Sequence, residues 1–236
     1  MKKRLLFSAL LLLISLGFVS AQEPKVAGRI YGVLGHSYAD NFYGAMATVV
    51  DYRASESLVL TGGVEAFRSQ GIAVTGAWQS RLPFGSQRWF LYNRYLYRLF
   101  SRWNLSEFST HVAFGYESPH WHLTLGMANR FMSPFRPYDQ TGSTDYVFEP
   151  FNLMYEARYT LDFGREKRWN ILARLTNYDD FVTDRGYQPM LTIGGGHYFV
   201  DRLKLYGEVV YYPTGMWSLS ANYYELFFKL GLSKQW

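Results

Sequence analysis

The chain has 236 residues, of which 48% are hydrophobic, 19% aromatic and 18% charged. That balance excludes a disordered chain, which would be poor in apolar residues and rich in charge. The lack of cysteine excludes a disulfide scaffold, a Cys-ligated metal site and a lipid anchor on an N-terminal Cys.

In chain order, Lys2, Lys3 and Arg4 form a basic start, Leu5 to Val19 is apolar, and Val19-Ser20-Ala21 is a small-residue cleavage site. This pattern predicts an export signal over 1–21, removed after Ala21, with 22–236 as one domain. The apolar run is short for a membrane anchor, and no later run reaches the ~18 residues of a spanning helix. Loss of the three basic residues takes the formal charge from +5 to +2. The sequence pI near 9.2 therefore belongs partly to the leader, and no nucleic-acid partner is expected.

The remainder alternates between apolar and polar residues, the period of a half-buried strand. Turn signals cut it into twelve segments, at 28–38, 42–52, 56–67, 71–82, 88–102, 107–117, 120–131, 148–163, 168–178, 188–200, 203–212 and 217–236. Alternation is clearest in the eighth. There Phe151, Leu153, Tyr155, Ala157, Tyr159, Leu161 and Phe163 oppose Asn152, Glu156, Arg158, Thr160 and Asp162. These segments take up most of the mature chain, far above the roughly 20–25% strand of an ordinary globular protein. A transmembrane β-barrel has this profile, with long strands that are apolar outside and polar inside. The predicted fold class is all-β, a closed up-and-down antiparallel transmembrane β-barrel of about twelve strands.

Two patterns support this. With the N-terminus in the periplasm, the two long gaps, 132–147 and 179–187, both fall on the outer side. Short periplasmic turns and longer outer loops are the rule for such barrels. Trp89, Trp121, Trp169 and Trp236 sit at one set of segment ends, with Trp78 within a turn of one. Trp103 and Trp217 sit at the other set. Indole rings favour the membrane–water interface, where the ring and its N–H are both satisfied.

At the C-terminus, Phe228, Leu230 and Leu232 alternate up to a terminal aromatic, Trp236. This resembles the closing strand of Gram-negative outer-membrane β-barrel proteins. In that family the last residue is usually Phe and the third from the end aromatic or apolar; here they are Trp236 and Lys234. The resemblance implies a place in the outer membrane, among its lipid, and delivery by the barrel-assembly machinery through the C-terminal strand. Twelve-stranded family members of similar length include small porins for acidic sugars and an outer-membrane phospholipase. Fold likeness does not carry function between them.

Function is read from the lumen face. Alternation places Arg81, Arg94, Arg98, Arg102, Arg130, Arg158, Arg174, Lys204 and Lys229 there, with Glu65, Glu107, Glu117, Glu156, Asp162, Glu208 and Glu225. Charges in such number must be hydrated or paired. Arg94, Arg98 and Arg102 share one face of the fifth segment as a basic ladder, and such ladders set ion preference in pores. The expected channel-lining set is Arg81, Arg94, Arg98, Arg102, Glu107, Arg130, Glu156, Arg158, Arg174 and Glu208. The expected function is a narrow channel for passive diffusion of small polar solutes, anionic or zwitterionic. The competing reading is a closed structural or adhesin-like barrel, its arginines salt-bridged to Glu107, Glu117 and Glu156. Small residues at Ala45, Ala47, Gly63, Ala73, Ala77, Ala113, Gly115, Gly126 and Ala128 favour open volume. The 132–147 loop is the candidate constriction or surface binding element.

A lipid-modifying enzyme is the third reading. Its candidate set is His36, Ser37 and Asp40, but adjacent strand residues point to opposite faces. No catalytic residue, metal or cofactor is assigned. His120, His122 and Glu117 have metal-site chemistry at the wrong ligand count and read as an interfacial pair beside a carboxylate. Asp179, Asp180 and Asp184 form an acidic loop that reads as solvated, with a divalent cation as the other reading. Gly194-Gly195-Gly196 lies inside a strand pattern and reads as a close approach within the wall.

Overall fold

The structure is a computed structural model. It describes residues 25–36, 42–67, 71–84, 88–101, 104–134, 146–182, 189–200, 202–213 and 224–236. The export signal, Ser37, Asp40, Arg102, Trp103, Asp184, Trp217 and most of the 132–147 loop lie outside those residues.

Twelve strands form one closed antiparallel barrel. They are β1 (Val26–His36), β2 (Tyr43–Arg53), β3 (Leu58–Phe67), β4 (Gly71–Arg81), β5 (Trp89–Phe100) and β6 (Leu105–Glu117). After these come β7 (Trp121–Pro134), β8 (Val147–Phe163), β9 (Trp169–Thr176), β10 (Met190–Val200), β11 (Leu203–Pro213) and β12 (Tyr224–Gln235). Each strand pairs with its sequence neighbours, and β1 pairs with β12 to close the ring. In that seam Ile30 faces Leu232 and Leu34 faces Phe228. The Trp236 N–H donates to the Val26 carbonyl at 2.8 Å, so the last residue is tied to the first strand.

Closure leaves no sheet edge to satisfy, which is what lipid demands of a spanning sheet. The alternation decides which face each residue takes. Outward residues such as Leu125, Ile193 and Leu230 are 62%, 73% and 63% exposed on the isolated barrel, and only lipid makes that favourable. Inward residues include Ala45, Ala47, Ala73, Ala113 and Ala128, all buried. The barrel is therefore of the outer-membrane type.

At the end holding both termini, aromatic side chains form a belt. Trp89 stacks on Phe114 with ring centres 5.0 Å apart and meets Tyr116 edge-on, and Trp121 meets Tyr159 at 5.0 Å. Trp169 lies 4.2 Å from His197. Rings with one apolar face and one polar atom suit this boundary.

Strand β9 stops two residues short of its expected end, and the reason is local. The Asn177 side chain takes over from the backbone ladder. Its Oδ1 accepts from the Tyr155 N–H at 2.9 Å, and its Nδ2 donates to the Leu153 carbonyl at 2.7 Å. Thr176 Oγ1 donates to the Tyr155 carbonyl at 2.9 Å and accepts from the Tyr178 N–H at 3.2 Å. With β8 satisfied by side chains, the main chain is free to leave the wall. It turns into the lumen at Tyr178.

Candidate functional site

The site is the middle of the lumen, and the segment Asn177–Val182 occupies it. Phe181 is the apolar anchor. It is 2% exposed and packs with Tyr31, Ala45, Ala47, Val49, Phe67, Ala73, Leu96 and Phe100. Those residues belong to β1 through β5, so a segment leaving β9 reaches the far side of the barrel. Small wall residues make the room. A Cβ at Gly63 would sit 3.0 Å from the Phe181 ring, tighter than an ordinary contact. Burying the ring stabilises the seated segment by about 1.5–3 kcal/mol.

Its polar groups meet cations from four strands. Asp179 accepts from Lys229 Nζ on β12 at 3.1 Å and lies 3.8 Å from Arg174 Nη2 on β9. Asp180 accepts from Arg29 of β1 at 3.4 Å on each oxygen, and from the Tyr31 hydroxyl at 3.1 Å. Arg94 on β5 donates to the backbone carbonyls of Asp179 and, at 3.2 Å, of Val182. Arg94 Nε also donates to His111 Nδ1 at 2.7 Å. Lys229 stands over the Tyr31 ring at 4.2 Å, and Glu208 lies 3.8 Å from Arg174 and 3.9 Å from Lys229. Gly194, opposite Glu208 on β10, leaves space for that side chain: a Cβ there would be 2.7 Å from Glu208 Cγ.

The fit is loose. Charge-assisted N–H···O hydrogen bonds run about 2.7–2.9 Å. The Arg29–Asp180 pair is at 3.4 Å on both arms, and the Arg174 contacts at 3.8 Å are beyond hydrogen-bonding range. Arg174 Nε and Nη2 are buried with no hydrogen-bond acceptor among the described residues. The centre therefore holds a net of cations around carboxylates without full hydrogen bonding.

The expected lining residues fall into four groups. Arg94 and Arg174 touch the inward segment. Others pair with the carboxylates of the wall: Arg98 with Glu107 at 3.6 Å, Arg130 with Glu149 at 2.9 Å, Arg158 with Glu156 at 3.6 Å and Arg81 with Glu117 at 3.2 Å. Arg102 lies outside the described residues, so the ladder is seen only at Arg94 and Arg98. Glu208 belongs to the central cluster.

One sequence reading changes. Asp179 and Asp180 are not a solvated loop; they are the lumen's central anions, because four cations and Tyr31 draw them inward. Among the described residues Asn177–Val182 reaches across the lumen, while residues 135–145 of the expected constriction, the 132–147 loop, lie outside them. Arg29, Tyr31, Tyr178 and Phe181 were not expected there. The available signal was Phe181-Val182, an apolar pair in an otherwise polar loop.

Elsewhere, His122 faces Glu117 at 3.9 Å, whereas His120 bonds to the Thr160 carbonyl at 3.2 Å, so the two imidazoles take different partners. His36 is the last residue of β1, is exposed, and sits on the lipid-facing side.

No protein-family model matches this chain, and no curated protein does. Solved structures do resemble it. The KdgM porin, in a complex with disordered oligogalacturonate, aligns with a TM-score of 0.53 at 10% identity, over 89% of this chain and 99% of that one. The NanC porin aligns with a TM-score of 0.52 at 11% identity, over 89% and 100%. The Acinetobacter baumannii outer-membrane protein Omp33 aligns with a TM-score of 0.50 at 10% identity, over 92% and 100%. At these identities the likeness shows the fold alone, a closed β-barrel of the outer-membrane type.

Proposed function

We propose that this barrel is an outer-membrane channel for passive diffusion of small polar solutes, with a preference for anions. One observation carries the reading: Arg29, Arg94, Arg174 and Lys229 converge from four strands on the middle of the lumen. These cations are shared with Asp51, Asp179, Asp180 and Glu208 at rest, and they raise the local anion concentration and select by sign where Asp179 and Asp180 move aside. The fold's likeness to porins supports the same reading, and the KdgM structure shows an acidic oligosaccharide with that protein. In this reading residues 1–21 are removed on export and Trp236 is part of the signal to the assembly machinery.

The test is single-channel conductance of the refolded mature protein in a planar lipid bilayer, with reversal potential measured across a salt gradient. Discrete steps with an anion-selective reversal potential are expected. Arg94→Glu with Arg98→Glu is expected to move that potential toward cation selectivity. Silence at all voltages from protein shown to be folded and inserted overturns the channel. One observation favours a second reading, a closed structural barrel: the segment carrying Phe181 reaches across the lumen. For lipid hydrolysis, Ser37 and Asp40 lie outside the described residues, so no contact between His36 and them supports it.

A further inference from the structure

We infer that the central cluster of Arg29, Arg174 and Lys229 is a binding site for small solutes bearing two carboxylates, held at rest by the chain's own Asp179 and Asp180. The idea rests on the channel reading for its purpose but not for its test. Three observations carry it. First, beside the wall carboxylates Asp51 and Glu208, which stay at 3.8–3.9 Å, the nearest carboxylates of the cluster are two adjacent ones on a segment that has left the wall. Second, the match is incomplete. Arg174 keeps Nε and Nη2 buried without hydrogen bonds among the described residues, and the Arg29 contacts are stretched to 3.4 Å. A free dicarboxylate, not tied to a backbone anchored at Phe181, can approach these donors more closely. Third, the segment has its own means of staying seated and of leaving. Beyond Tyr178, which packs against Ala113 and Met154 where the chain leaves the wall, its apolar anchor is the Phe181 ring, and Arg94 holds its backbone from the wall.

The competition has a natural scale. A short flexible tether presents its ligand at an effective concentration of about millimolar, so a free dicarboxylate competes in that range. When it binds, Asp179 and Asp180 are displaced. The segment then keeps only the Arg94 contacts to its backbone and its apolar packing, so Phe181 unseats more readily and its cluster opens. The site would thus admit the solute that its internal ligand imitates.

The lack of any native cysteine makes this directly measurable. Ala47 and Ala73 share a buried cluster with Phe181 and are 3% and 0% exposed. Gln79, on the same inward face of β4 and partly exposed, serves as the access control. Ala47→Cys and Ala73→Cys are each labelled with a water-soluble thiol reagent in the refolded barrel, and Gln79→Cys is labelled in parallel. Labelling at 47 and 73 is expected to be slow. Asp179→Asn with Asp180→Asn is expected to speed it about tenfold, as loss of two charged contacts would. Succinate at about 10 mM is expected to speed it in the otherwise unchanged chain. Neutral succinamide, and chloride at matched ionic strength, are expected not to.

Unchanged labelling with both the Asn pair and succinate, while the Gln79→Cys control reacts normally, overturns the inference. So does acceleration by chloride equal to that by succinate, which is charge screening alone. Acceleration by the Asn pair without any by succinate overturns the site as a solute site. Retention of the heat-dependent electrophoretic shift of the folded barrel is required of every variant. A barrel that labels as expected yet never conducts sinks the channel and leaves this site standing, so the two failures are distinct.

Discussion

Phe181 and Gly63 define the lumen's middle at the scale of single residues. The ring fills a hollow that exists because position 63 has no side chain and because Ala45, Ala47 and Ala73 are small. Phe181→Ala removes about 2 kcal/mol of burial, or roughly thirtyfold in the ratio of seated to free segment. The barrel's hydrogen bonds do not depend on that ring. The expected result is faster thiol labelling of the Ala47→Cys variant with an unchanged urea unfolding midpoint. Gly63→Val is expected to act in the same direction, because its Cβ would stand 3.0 Å from the ring and 3.1 Å from both the Thr48 carbonyl and Thr75 Cγ2. A midpoint that falls with Phe181→Ala would mean that the segment is part of the barrel's core; Gly63→Val also presses on the wall and is read by labelling alone.

At the scale of elements, β9 matters most because it ends early. Its last residue pairs with Glu156 of β8, and beyond that point Asn177 bonds to Tyr155 and Leu153 through its side chain. A backbone hydrogen bond left unmade in a buried place costs about 1–3 kcal/mol. Asn177→Ala is expected to cost an amount in that range. The Tyr155 amide should lose its protection in hydrogen exchange, while amides lower in the β8–β9 ladder keep theirs. Equal loss along the whole strand would show that Asn177 supports the ladder and not only the exit from it. The strand pattern around 168–178 was legible to within two residues, because alternation fixes the face each side chain takes. The inward turn was not, because Asn177's two bonds depend on which backbone groups of β8 stand opposite, a question of register.

For the whole molecule, the decisive contrast is between two faces of one sheet. Leu125 faces lipid and is 62% exposed on the isolated barrel. Leu125→Arg is expected to cost about 2–4 kcal/mol in urea unfolding from lipid vesicles, as a charge near mid-bilayer does. Gln79→Ala, on the inward face, is expected to stay within about 0.5 kcal/mol. Similar costs at both positions would contradict the assignment of faces. Closure has its own consequence: the β1–β12 seam uses the chain's last residues, with Trp236 bonded to Val26. Deleting 224–236 is therefore expected to abolish the folded barrel's electrophoretic shift, since an open edge cannot be satisfied in lipid.

By itself the sequence determined the class, a strand number of about twelve, the inward and outward faces and the aromatic belt at one end. Each of these follows from local alternation or from a ring's preference for an interface, and neither depends on distant contacts. Arg94, Arg98, Arg174 and Glu208 were legible as inward-facing for that reason. The tertiary structure alone decided what those charges meet. Asp179 and Asp180 read as a wet acidic loop because nothing nearby in sequence opposes them; their partners Arg29 and Lys229 lie on β1 and β12. Only ring closure brings those two strands side by side and sets them within reach of a segment leaving β9. Charge pairing across a lumen depends on distance in space, and a one-dimensional pattern holds no record of that.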